Sequence, residues 1–382
     1  MTTNSLQRPA GMAPDQSRIP TRPAEPAEVF PGPAPAVEAV EDLVDEVLRI
    51  TGVRMEGEHG VFHGTPRPGS ADAFDRVAGE MRARGFRPSL LEAAAGEATL
   101  VVSPVARAPD LRSRPVVQLG LLIATLVTTT WAGAAHAGVD LLRAPGSWMS
   151  GLPYALALLL ILGVHEMGHY VVARARRVRV SLPYFIPAPF FLGTFGAFIR
   201  MGGDVKDRND YFDIGVAGPL AGLVVAALAV LIGASAPASG VAGHGMVPAS
   251  SLLFTLLYQA GGGIDPGVVT ALGPVAFAGW LGLLVTALNL IPVGQLDGGH
   301  VAYALWGRER SRILGVAVIG AMIALGLLYS RHWLMWGLLV WLVAGTAHPP
   351  STNELRPLTP GRKALAWATV GLFLLIILPW PG

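Results

Sequence analysis

Hydrophobic positions follow two regimes along this chain. Short alternating or helical patterns run to about residue 106, and long, nearly unbroken apolar stretches run from there onward. In the first regime Val37, Val40, Leu43, Val44 and Val47 recur at helical spacing with acidic residues on the other face, and Gly52 is the expected stop. Extended runs follow at 53–56 and 60–64 around a glycine turn. A second helix is predicted over 70–85 with Ser70 as its N-cap, then strands over 86–92 and 99–105. The order α-β-β-α-β-β reads as a small soluble α+β domain over residues 36–106, near the size at which a core only just stabilises itself. Such a domain either binds a ligand or partner or is a solvated cap. Residues 1–35 are rich in Pro, Ala and Thr, lack apolar periodicity and are expected to be disordered. They contain no continuous apolar signal-peptide region, so the first membrane segment is expected to direct insertion itself.

In the second regime, runs of the roughly 20 apolar residues needed to cross a bilayer occur at 116–138, 152–173, 212–235, 268–291, 313–329, 333–347 and 364–380. The fold expected is therefore an α-helical polytopic membrane protein of about seven transmembrane helices, its membrane domain covering 115–382, with the α+β domain in front. With an inside N-terminus, only Arg143 and Arg331 of the 17 basic residues after Leu111 fall outside, which satisfies the positive-inside rule. Two apolar stretches do not fit as spans. Residues 182–199 carry Pro183, Pro187, Pro189, Gly193 and Gly196, which a straight helix does not tolerate, so the stretch is expected to enter and leave one face. Residues 252–260 are too few to cross, and lie along the outer surface or re-enter.

Composition agrees with a membrane protein: of 382 residues 52% are hydrophobic and 14% charged, with mean hydropathy +0.50. The first 110 positions hold 16 of the 26 acidic residues, so the sequence pI near 9.1 reflects basic membrane-flanking loops and not a nucleic-acid surface. There are no cysteines, so a metal must rely on His, Asp and Glu. The Ala, Gly and Arg bias points to a bacterium and hence to a cell membrane. The Ser-poor, acid-containing start argues against a plastid transit peptide.

His165-Glu166-Met167-Gly168-His169 closes the second apolar run, and Leu296-Asp297-Gly298-Gly299-His300 follows the fourth. Two histidines at i and i+4 share a helix face and can reach one ion. Asp297, expected at matching depth by the same orientation, supplies a third ligand to Zn2+ and leaves a fourth position open. Glu166, beside the first ligand, is placed to accept a proton from an attacking water. A charged group at membrane depth is costly unless it faces a cavity and has chemistry to perform, which sets this HExxH apart from a chance helical string. The reaction implied is peptide-bond hydrolysis by a membrane-embedded zinc metalloprotease. A non-catalytic metal-binding membrane protein or a transporter is the alternative, although no internal repeat supports the latter. His300 is read as a hydrogen-bonding neighbour of the ligands, His348 as a loop-shaping residue, and His59 and His63 as surface residues without a role.

These motifs, together with Asn289-Leu290-Ile291-Pro292 before Asp297 and Ala217-Gly218-Pro219-Leu220-Ala221-Gly222 in the third run, resemble the site-2 protease family of intramembrane zinc metalloproteases over about residues 150–310. The resemblance implies His165, His169 and Asp297 as zinc ligands, Glu166 as base and Asn289 near the substrate backbone. Gly193-Thr194-Phe195-Gly196 looks like the family's membrane-associated hairpin, which is thought to pair with unwound substrate as an added strand; a lipid-facing loop is the simpler alternative. Membrane-anchored proteins in the lipid bilayer, cut near the cytoplasmic face, are the implied substrates. There is no room for a PDZ domain between the second and third spans. The soluble front domain and the sequence His348-Pro349-Pro350-Ser351-Thr352-Asn353-Glu354 resemble the branch in which regulation enters through residues 37–105.

Overall fold

The computed structural model describes residues 38–104, 114–235, 251–263 and 272–378. The expectations for residues 1–35 and for the start of the 268–291 run lie outside them. The chain divides into two compact units, one containing the residues up to Ala108 with Pro349–Arg356, the other Pro109–His348 with Pro357–Gly382.

In the first unit, helix α1 (Glu41–Val47) leads directly into strand β1 (Leu48–Glu56), followed by β2 (His59–Pro66), α2 (Ser70–Ala83), β3 (Phe86–Glu92) and β4 (Ala98–Pro104). The strands form one antiparallel sheet in the order β1-β2-β4-β3. Leu43, Val44 and Val47 of α1 and Phe74, Val77 and Met81 of α2 bury against Phe62, Leu90 and Leu100 of the sheet, as the helical and alternating patterns require. Two local expectations are corrected. Gly52 does not end the helix; the chain is already extended at Leu48, and Gly52 lies inside β1, where the register against β2 shifts between Ile50 and Gly52. Ser70 is the first helical residue, and Gly69, with φ of 75°, takes the cap position, a backbone angle glycine adopts without steric cost.

The unit is completed from far along the chain. Asn353 bridges Leu90 in parallel, with Leu90 N–H donating to the Thr352 carbonyl at 2.8 Å and Glu354 N–H to the Leu90 carbonyl at 2.9 Å. Asn353, fully buried, donates to the Ala71 carbonyl at 2.9 Å and to Asp75 at 3.2 Å. Arg356 pairs with Asp72 and Asp75. Segment Pro349–Arg356 thus covers the β3 edge, which would otherwise present unpaired backbone groups.

In the second unit, α3 (Pro115–His136), α4 (Leu152–Ala175) and α5 (Arg208–Ala234) are the first three long helices. Asp207 caps α5 by accepting from the backbone N–H groups of Asn209 and Asp210 at 2.8 and 3.1 Å. Between α4 and α5 lie β5 (Arg179–Val180), β6 (Tyr184–Pro187), β7 (Thr194–Phe198) and β8 (Met201–Gly202). β6 and β7 form the antiparallel hairpin of the Pro- and Gly-containing stretch. Then come α6 (Leu252–Ala260), α7 (Pro274–Asn289), α8 (Asp297–Trp306), α9 (Arg308–Leu328), α10 (Arg331–Ala344) and α11 (Pro360–Ile377). Asp213 near the start of α5 ties three helices together, pairing with Arg176 after α4 and accepting from Arg362 of α11 at 2.7 and 2.8 Å.

Among the described residues five helices are long and apolar enough to cross a membrane: α3, the stretch Pro145–Ala175 that includes α4, α5, α9 and α11. The count of seven is not met by length alone, because α7 and α10 are shorter. The reason for α7 is visible in its packing. It runs back along α5, with Gly279 closing on Val230 and Gly282 on Ala226. After the turn at 290–296, α8 continues along the first part of α5, where His300 meets Gly215 and Val301 and Ala304 pack on Phe212. Two short helices with a break between them therefore retrace one long helix. Leu290, Ile291, Val293 and Gly294 of the break are buried in protein while Gln295 is exposed, and burial in protein is the setting in which non-helical backbone is tolerated at membrane depth.

Candidate metal centre

His165 and His169 sit one turn apart on α4, and Asp297 opens α8, at the break just described. The sequence fits this shape closely: a side chain at Gly298 would strike the Leu290 carbonyl and one at Gly299 the Gly294 carbonyl, so only glycines let the turn tuck under Asp297. The three side chains converge. Nε2 of His165 and Nε2 of His169 are 3.2 Å apart, and the Asp297 carboxylate oxygens lie 3.4 Å from His165 Nε2 and 3.3 Å from His169 Nε2. Ligand atoms bound at about 2.0–2.1 Å around a tetrahedral ion stand about 3.3 Å from one another. The donor set and its spacing fit zinc, and this is the one such cluster among the described residues.

The surroundings prepare the ligands. The His169 ring hydrogen-bonds the Ile214 carbonyl through Nδ1 at 2.7 Å, which requires the proton on Nδ1 and leaves the Nε2 lone pair for a metal. The motif at 217–222 supplies space: the faces of Gly218 and Gly222 on α5 lie against the rings of His169 and His165. Asn289, the last residue of α7, places Nδ2 3.2 Å from His165 Nε2, at the rim of the cluster.

Glu166 is buried beside His165, and the backbone N–H of Ile199, immediately after β7, hydrogen-bonds its carboxylate. Gly193, Thr194, Phe195 and Gly196 form the turn and leading strand of the hairpin. Thr194 Oγ1 donates to the Ile186 carbonyl at 2.8 Å and accepts from Gly196 N–H at 2.9 Å, and the Gly193 carbonyl accepts from Thr128 of α3 at 2.6 Å. It is the far end of the hairpin, at Ile199, that reaches the site. Among the described residues β7 pairs with β6 alone. His59 and His63 face Ser103 and Thr99 on the neighbouring strand, at 2.8 and 3.0 Å.

Two features escaped the sequence. α8 was not foreseen, since Asp-Gly-Gly reads as a turn. The Nδ1 of His300 lies 2.6 Å from Nε2 of His348, a contact hinted at only by the isolated His-Pro-Pro.

Residues 153–329 match peptidase family M50. The probable zinc metalloprotease EGY2, chloroplastic, of Arabidopsis thaliana is 34% identical over 242 residues, covering 60% of this chain and 42% of the relative. The probable zinc metalloprotease EGY1, chloroplastic, of Oryza sativa subsp. japonica is likewise 34% identical over 242 residues, covering 60% and 41%. The probable zinc metallopeptidase EGY3, chloroplastic, of Arabidopsis thaliana is 30% identical over 236 residues, covering 57% and 41%. The chain thus spans about two fifths of the length of these relatives. No solved structure matches it.

Proposed function

Because residues 153–329 match peptidase family M50, we propose that this chain is a zinc endopeptidase of the membrane, cleaving membrane-anchored proteins near the inner face. The observation that carries this reading is the triangle of His165, His169 and Asp297 donor atoms with 3.2–3.4 Å edges, next to a buried glutamate. His165, His169 and Asp297 hold the metal. When bound, zinc supplies Lewis acidity that makes a water nucleophilic at neutral pH. Glu166 takes the proton from the attacking water and returns it to the leaving amine. Asn289 donates to the substrate backbone from the rim.

Substrate adds to β7 through Gly193, Thr194, Phe195 and Gly196 as an extra strand. A transmembrane helix hides its carbonyls within its own hydrogen bonds, so it has to be extended before attack, and an unpaired strand edge offers replacement partners. The exposed rings of Phe190, Phe195 and Phe198 suit a hairpin bathed in lipid.

The topology is seven crossings from an inside N-terminus, with α7 and α8 together making the fourth. Residues 38–104 and 349–356 fold into one unit, so an even number of crossings separates them. Hence α7–α8 and α10 both cross or neither does, and the basic loops favour both. Residues 36–106 form the soluble domain, which receives a ligand or partner. The relatives are named as chloroplast proteins, which does not fit the expected bacterial cell membrane; the membrane setting itself stays.

Glu166→Gln is the direct test. The variant retains stoichiometric zinc and loses about 10²–10⁴-fold in cleavage of a transmembrane reporter. Undiminished cleavage would remove Glu166 as base, and zinc without any cleavage by the unsubstituted protein would favour a metal-binding or transport role.

A further inference from the structure

Asp297 is the first residue of α8, and little in its own turn holds it. The cap position is Leu296, which makes no side-chain cap hydrogen bond, and the next two residues are glycines. His300 is the first side chain after Asp297 able to fix the rotation of the helix. It is buried, packs against Gly215 of α5 and stacks on Tyr211 of the same helix with ring centroids 5.4 Å apart. Its Nδ1 shares one proton with Nε2 of His348 at 2.6 Å. His348 is held in turn: it stacks on Tyr303, one turn further along α8, with centroids 4.1 Å apart and planes within 8°, and meets the Tyr211 ring edge-on.

We propose that His348 is a positioning residue for the metal centre, which through its hydrogen bond to His300 sets the rotation of α8 and thereby the direction in which Asp297 points. The ring stack alone leaves α8 free to turn by small angles, because stacked faces slide. The short hydrogen bond removes that freedom, being both directional and shielded from water. Groups that hydrogen-bond a metal ligand directly are worth about 10–100-fold in metal affinity; His348 acts one residue further out, through His300, so an effect of up to about tenfold is expected here.

The test uses the full-length protein in detergent, with zinc affinity measured by chelator competition and ligand geometry by the visible spectrum of the cobalt-substituted form. His348→Phe keeps a ring against Tyr303 without the hydrogen bond, and His348→Gln keeps a hydrogen-bonding group without the ring. The Phe variant is expected to bind zinc up to about tenfold more weakly with an altered cobalt spectrum, and the Gln variant to recover most of the affinity. Unchanged affinity and spectrum in the Phe variant overturn the proposal. So does a Gln variant as weak as the Phe variant, or a general loss of helix by circular dichroism, since each indicates packing alone. The inference rests on the zinc reading, and the two fail separately. Absence of zinc from the unsubstituted protein ends both, whereas tight zinc in His348→Phe ends only this one.

Discussion

The backbone of Gly218 lies against the His169 ring, so close that a methyl group on Gly218 would overlap Nε2. Gly222, one turn on, lies against the other side of His165, where a Cβ would stand 3.0 Å from the His165 Cβ and 3.1 Å from its Nδ1. The small-residue motif of α5 therefore does more than pack two helices. It sets how near α5 comes to the two imidazole rings.

Gly218→Ala is accordingly expected to weaken zinc binding by at least about tenfold while the helix content of the protein is retained. Metal content by mass spectrometry alongside circular dichroism checks this, and stoichiometric zinc in the variant would show that α4 and α5 separate freely.

Thr194 shapes the hairpin through its bonds to Ile186 and Gly196. Thr194→Val removes both with little change in volume. Cleavage efficiency toward a transmembrane reporter should fall about tenfold or more, if each lost hydrogen bond is worth roughly 1 kcal/mol, with zinc content unaltered. Loss of zinc instead would mean that the hairpin supports the metal site rather than the substrate.

In the strand-containing unit, desolvation by burial holds the His63 imidazole below its ordinary pKa of 6.5, partly offset by Glu56 and Glu97. The folded state therefore binds fewer protons than the unfolded chain as pH falls through 6.5. This group's contribution is fully present above that value and is lost progressively on acidification toward the lower folded pKa. Hydrogen exchange of the β2 and β4 amides should accelerate as pH falls below 6.5, beyond the intrinsic pH dependence of exchange. His63→Gln should flatten that change.

Asn353 is fully buried with its amide donating to Ala71 and Asp75. Asn353→Ala should destabilise the strand-containing unit by about 1–3 kcal/mol. The loss should appear as faster exchange at α2 and β3 in the full-length protein, with α4 and α5 unchanged. Equal protection in both forms would show that the late segment rests on the domain without supporting it.

What could be read from the sequence follows the range over which its signals act. The helix carrying the HExxH motif was expected over 152–173 and is observed at Leu152–Ala175, because a run of apolar residues states its own length. Gly52 and Ser70 were misjudged by local rules: β1 gains ladder hydrogen bonds from pairing that outweigh a glycine stop, and Gly69 takes the cap through an angle that no serine favours. α8 was invisible because Asp-Gly-Gly has poor helix propensity. Only the contacts of Gly298 and Gly299 with the preceding turn explain why a helix starts there. The convergence of His165, His169 and Asp297 was legible, since HExxH and LDG each carry chemistry at fixed spacing. The hydrogen bond between Ile199 and Glu166 and the His300–His348 pair were not, since each arises from packing between separate elements.

The β3 edge of the strand-containing unit is closed by residues some 262 positions downstream, as between Glu92 and Glu354. At roughly 5–20 residues per second, a ribosome needs on the order of 10–50 s to travel between them. A unit whose strands are made before the helices is thus finished only after them. Until the helices between have been made, its growing edge stays open to chaperones or to misdirected pairing, and closure of that edge reports that the intervening helices have been synthesised.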